Sequence, residues 1–390
     1  MPFLDQFFVT LGALPKNKRM MLMTAIGLSI FYFLTKYYRN TKLRVFFSSE
    51  KFAEFVKWAP SLKSGRFYPF PLLSSALAQC LLSKGKYLDD SDLIQSRDSF
   101  NYPNGGTGRI EWITLKSKEP KFNPKVIAFI LPGLSSQSTA SYLRDLYITL
   151  INQGIRPVVF VPRFNDDKLF LPDHGLLNLF DDIHAAVLYV KSKYPDAKLI
   201  GIGHSYGANA IVNYLGFHNT EKNFLAGISI ANPYDFPKAS ALTRGTIIEK
   251  YLMTGIKEIV RNNLDTLTQH SERYKWSVEE MQRAKQLREF DNAFVAKIMG
   301  MKDADDYYDK ISSEKRVWNV EVPLLSINAE DDPFVDFKGV PIDAHKKNKN
   351  LLFIVTKKGA HIGWVGGLFK LNRWYLSVVS DYITWITENS

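Results

Sequence analysis

Hydrophobic positions along the chain fall into three regimes. Met20 to Thr35 is apolar or small throughout, without one charge. Gly108 to Ser117 alternates apolar with polar residues, the period of a half-buried strand, and reads as an antiparallel edge strand. Beyond it come short, uninterrupted apolar runs at Val126–Leu131, Pro157–Val161, Leu199–Gly203, Phe224–Ala231, Leu324–Asn328 and Leu351–Val355. Runs of this length and composition suit parallel strands covered on both faces. Helical spacing fills the gaps, most clearly at Phe180, Ile183, Val187 and Val190. The alternation predicts an α/β fold, a right-handed and mostly parallel sheet with helices on both faces. It breaks once, between about 237 and 318, where the sequence is charged and helix-rich. That stretch predicts a helical insertion over the strand ends, either a substrate lid or a peripheral structural element.

The pattern divides the chain into a tail at 1–19, a membrane anchor at 20–38, an N-terminal extension at 39–104 and an α/β domain at 105–390 that contains the insertion. Sixteen uncharged residues span about 24 Å, short of a ~30 Å hydrocarbon core. Lys36 can snorkel, however, and Tyr37 and Tyr38 suit the interface, so a thin bilayer is matched best. This predicts a single-pass protein of the endoplasmic reticulum or a related endomembrane. A cleaved signal peptide fits less well, because the run starts late and ends in bulky Phe, Tyr and Leu; a buried or interfacial helix is the other alternative. Lys16, Lys18 and Arg19 face Lys36, Arg39, Lys42 and Arg44 across the run, so charge counting leaves the orientation open.

Composition changes the picture modestly. With 46% hydrophobic residues in 390, disorder is excluded as the default. The net charge of +11 suits an anionic partner, and its even spread, without a basic and aromatic platform, points to a membrane surface and away from nucleic acid. A single cysteine, Cys80, excludes an intrachain disulfide.

The chemistry begins at Gly203-His204-Ser205-Tyr206-Gly207, which joins the apolar run Lys198–Gly203 to the helix-like Ala208–Leu215. A serine at so tight a strand-to-helix turn is exposed above the sheet edge, provided the flanking glycines keep side chains out of the way. Ser205 is the candidate nucleophile. It needs a base, and the base needs an orienting carboxylate. Among seven histidines, His204 points away and His345 sits in a basic surface run, while His174, His184, His218 and His270 fall before any late acid. His361 follows the last apolar run between small residues and is the expected base. Of Glu330, Asp331, Asp332 and Asp336, Asp332 precedes Pro333, where extended backbone turns a side chain inward. Glu330 and Asp331 are then expected to be solvated. Two backbone N–H groups would receive the oxyanion, from Tyr206 after the nucleophile and from Leu134 in the turn after Val126–Leu131. No cofactor or metal is called for.

With these residues in place the chain resembles the membrane-anchored branch of the α/β-hydrolase-domain proteins, which includes bacterial YheT-like and plant embryogenesis-associated proteins, animal acylglycerol and phospholipid lipases, and yeast acyl-ethanol ester synthases/esterases. The resemblance covers about 105–370 and rests on LPGLSSQSTASYLRDL from Leu131, FDDIHAAVLYVKSKYP from Phe180, GHSYGANAIVNYLG from Gly203, ISIANPYDF from Ile228, DDPF from Asp331 and AHIGW from Ala360. It implies the α/β-hydrolase fold, a Ser205-Asp332-His361 triad, an N-terminal anchor and lipid-like ester substrates. Leu131 stands where the family has a histidine, and of the family's Asn-x-Arg-Gly segment only Arg163 is kept. The reading that follows is a membrane-anchored serine hydrolase of lipid carboxylic esters working through an acyl-enzyme. Its alternatives are acyl transfer to an alcohol, or a lipid-binding membrane protein without turnover.

Overall fold

The computed structural model describes residue 6 and residues 15–116, 120–163, 171–217, 222–367 and 370–389. Most of the tail, Phe164, His218 and the end of the predicted strand at Ser117 lie outside them. Lys16–Asn40 forms one helix of 25 residues, α1, about 37 Å long and unburied, long and apolar enough to cross a bilayer.

Nine strands form one sheet: β1 (Arg44–Phe46), β2 (Leu93–Asn101), β3 (Thr107–Leu115), β4 (Val126–Leu131), β5 (Arg156–Val161), β6 (Lys198–His204), β7 (Phe224–Ile230), β8 (Leu324–Ala329) and β9 (Leu351–Thr356). Their spatial order is β1-β9-β8-β7-β6-β4-β5-β3-β2, parallel from β9 to β5 and antiparallel at both sides. All six apolar runs are strands, and every residue of β4, β8 and β9 is buried, as expected where helices cover both faces. Helices α2 (Glu50–Trp58), α3 (Ala76–Leu82), α4 (Ser141–Asn152), α5 (Leu179–Lys193) and α6 (Tyr206–Phe217) surround the sheet, with Trp374–Glu388 closing one face. Two buried clusters, one on each face, form the core.

Two expectations are corrected. The strand expected from Gly108 is β3, antiparallel but not at the edge, because β2 pairs with it along its whole length, from Leu93 opposite Leu115 to Asn101 opposite Thr107. β2 carries Gln95, Ser96, Arg97, Asp98 and Ser99, so its apolar period is lost, and charged side chains are what protects an edge strand from aggregation. The segment 39–104 also contributes β1 at the opposite edge. The sheet is thus flanked on both sides by residues read from sequence as an extension.

Strand order reverses between β4 and its neighbours, β5 on one side and β6 on the other. In open α/β sheets ligands bind beyond the strand C-termini at such a switch point. From α7 (Phe236–Thr243) and α8 (Ile247–Asn262) through Ala304–Ile311, the chain between β7 and β8 is helical, with its own buried cluster of Met253, Ile256, Val260, Leu267, Trp276 and Phe294 among others.

Candidate active site

Ser205 follows β6 with φ at +54°, a left-handed conformation a non-glycine residue adopts only when its surroundings impose it. The surroundings are backbone. A Cβ on Gly203 would lie 2.3 Å from the Gly207 carbonyl oxygen, and one on Gly207 2.2 Å from that of Leu131, so the turn closes only because both are glycine. The Ser205 N–H donates to the Ile230 carbonyl at 2.9 Å, tying the turn to β7.

His361 Nε2 lies 2.8 Å from Ser205 Oγ, and His361 Nδ1 lies 2.8 Å from Asp332 Oδ2. Residues 156 and 29 positions apart in the chain therefore meet in one line. The Asp332 side chain is completely buried, and its Oδ1 accepts the N–H groups of Phe334 at 2.8 Å and Val335 at 3.2 Å. Those two bonds fix the orientation of the carboxylate. The Phe334 ring stacks on His361 with centroids 4.3 Å apart. Backbone strain is concentrated around the histidine: Ala360, Ile362 and Trp364 all have positive φ.

Asp331, expected to be solvated, is largely buried. Its Oδ1 accepts the Ala360 N–H at 2.9 Å and its Oδ2 lies 3.4 Å from Lys358 Nζ, while burial pushes its carboxyl pKa up. It thereby straps the acid turn to the histidine loop, a contact to main chain that no side-chain pattern reveals. Glu330 is likewise engaged, in an ion pair with Arg44. Asp336 caps its own short turn through the Lys338 N–H.

Tyr206 is the first residue of α6, and Leu134 follows Gly133 in the loop after β4; both line the pocket that opens on Ser205. Tyr142 braces that loop, receiving the Gly133 N–H at 3.1 Å and donating to Ser136 Oγ at 2.9 Å. His204 is buried between the rings of Tyr142 and Tyr375, and burial, the Arg373 cation and His361 push its pKa down to about 3. It is neutral at physiological pH. Arg163 forms a two-pronged pair with Asp182 at 2.7 and 2.9 Å, and its guanidinium also reaches the Gly105 carbonyl and the Asn104 side chain. It braces one wall of the pocket.

The opposite wall comes from the helical segment, with Phe236, Ala239, Leu252, Ile256, Phe290 and Phe294 facing the cavity. One carboxyl interrupts this apolar lining. Asp291, in the π-helical turn Asp291–Val295, accepts a hydrogen bond from Tyr308 Oη at 2.6 Å. Burial raises its pKa to about 7. No motif or hydrophobic period in the sequence marks it.

No family model matches the chain. Curated proteins do. Phospholipase ABHD3 of Mus musculus is 26% identical over 89% of this chain and 84% of its own length. Monoacylglycerol lipase of Saccharomyces cerevisiae is 29% identical over 68% of this chain and 61% of its own. Medium-chain fatty acid ethyl ester synthase/esterase 2 of the same yeast is 24% identical over 86% and 90%. With this sheet order and elbow the chain has the α/β-hydrolase fold, and, similar over most of its length to phospholipase, lipase and esterase sequences, it is a carboxylic ester hydrolase.

Proposed function

We propose that this protein is a membrane-anchored serine esterase whose substrates are lipid carboxylic esters, with Ser205, His361 and Asp332 as its triad. The observation that carries the reading is the continuous line of 2.8 Å contacts from Ser205 Oγ through the imidazole to Asp332. In the cycle, His361 Nε2 takes the Ser205 proton as Oγ attacks the ester carbonyl, and Asp332 holds the imidazole by Nδ1. Backbone N–H groups of Leu134 and Tyr206 receive the tetrahedral oxyanion. The imidazolium then protonates the leaving alcohol, and water, deprotonated by the same nitrogen, releases the acid from Ser205.

The apolar cavity and the names of the relatives both favour an acyl chain over a polar substrate. Helix α1 supports an anchor, which would hold the pocket where such esters reside. Ser205→Ala is expected to lower hydrolysis of a medium-chain p-nitrophenyl ester by about 10⁶-fold and to abolish fluorophosphonate labelling. Labelling at wild-type level would exclude Ser205. One observation favours a second reading, acyl transfer to an alcohol: the yeast relative matched over 90% of its length is named a synthase as well as an esterase. Ethyl ester formation from an acyl donor in the presence of ethanol separates the two.

A further inference from the structure

Helix α8, which lines the pocket, and the shorter α3, which packs beside the histidine loop, both turn apolar side chains to solvent. On α3, Leu77 and Leu81 stand one turn apart and are 64% and 62% exposed. On α8, Ile247 and Tyr251 do the same at 75% and 56%. Lys84 links the two, its ammonium 4.7 Å from the Tyr251 ring centroid.

Both helices are fixed to the site. One turn beyond Tyr251, Gly255 faces the Ser135 side chain next to Leu134, itself 41% exposed at the pocket wall. On the other side, the Gln79 side chain of α3 bonds Val365, four residues after His361. The segment leading into α3 is also tied to α1. Tyr37 Oη donates to the Pro69 carbonyl at 2.7 Å, Arg66 holds the Tyr38 carbonyl at 2.8 Å, and Phe70 N–H reaches Val365 just ahead of α3.

We propose that Leu77, Leu81, Ile247 and Tyr251, with Lys84 between them, form a docking surface for an anionic phospholipid bilayer that seats the pocket mouth against the membrane. The inference rests on the lipid-ester reading above and adds the surface that delivers the substrate. Charge complementarity selects the occupant. The chain carries +11, and Lys84 and the exposed Lys250 sit at the patch, so apolar insertion and attraction to anionic head groups act together. Four apolar side chains at i and i+4 on two helices also match a surface that lies in the interface without spanning it.

The test uses the full-length protein. In a variant with Leu77→Ser, Leu81→Ser, Ile247→Ser and Tyr251→Ser, hydrolysis of a fluorogenic lipid ester carried in phosphatidylcholine/phosphatidylserine vesicles is expected to fall at least about tenfold, with p-nitrophenyl butyrate hydrolysis within about twofold of wild type. Equal loss on both substrates, or no loss on vesicles, overturns the proposal. A second measurement is independent of turnover. With Ile247→Cys in a Cys80→Ser background, an attached NBD dye is expected to brighten and shift to the blue on the same vesicles, and a dye at Lys349→Cys is not. An unshifted dye at position 247 overturns docking. Wild-type protein that cleaves the butyrate but not the vesicle ester, with a shifted dye, overturns the lipid-ester reading and leaves docking standing.

Discussion

The two walls of the pocket are built on different principles. On the sheet side, the groups proposed for chemistry are held by main chain: the elbow by contacts between glycines and carbonyl oxygens, Asp332 by two N–H donors, the histidine loop by the Asp331–Ala360 bond. On the helical side, side chains alone define the space, packed on a cluster separate from the two that enclose the sheet. Main-chain geometry tolerates almost no substitution, whereas a wall of side chains is re-cut by changing one of them. Reaction type and substrate choice can therefore vary independently in this molecule.

Substitutions on either side sharpen that contrast. After Ser205→Ala, the largest effect is expected from Asp332→Asn, which keeps the shape but removes the carboxylate that orients His361: kcat for a soluble ester should fall by about 10⁴, with KM little changed. Asp331→Ala frees the Ala360 N–H and loosens the histidine loop; a fall of about 10- to 100-fold in kcat, again at constant KM, distinguishes positioning from binding. On the helical wall, Ala239→Leu fills part of the cavity. It should lower kcat/KM for long-chain esters by about tenfold while leaving acetate esters unaffected, as a chain-length series would record.

The smallest effect is one of pH. The Asp291 carboxyl holds its proton up to about pH 7 in the folded protein, against 3.8 for the ordinary group. Folding is therefore favoured most below the lower value, and this contribution is lost as pH rises to the upper one and stays constant above it. Ionisation also places a charge in the apolar pocket. Asp291→Asn should flatten both the thermal-stability profile between those limits and a severalfold rise in KM above neutrality. Unchanged profiles would mean that the carboxyl is already ionised.

Much of this arrangement is legible in the residues. Six buried strands announce themselves as apolar runs because parallel strands see no water on either face, and the glycines around Ser205 mark a turn that excludes Cβ atoms. β2 is not legible, because as a polar edge strand it has no hydrophobic period to read. β1 is too short, at three residues. Asp331 looks like any loop carboxylate until the fold brings Ala360 to it. Asp291 has no signal at all, since its altered acidity comes from neighbours supplied by tertiary packing and above all from the loss of water.

β1 pairs with β9, Arg44 opposite Val355, so one border of the sheet is assembled from residues more than three hundred positions apart. During synthesis the first of these strands waits, unpaired, while the parallel core is made. β9, whose following loop carries His361, must arrive before that border can close. A ribosome-bound chain lacking β9 would have the serine elbow's sequence but neither the proposed base nor a finished sheet, and an open parallel edge is a site of misassociation. The site is thus completed only late in synthesis, and the stretch before Arg44 leaves the ribosome long before the body it belongs to is complete.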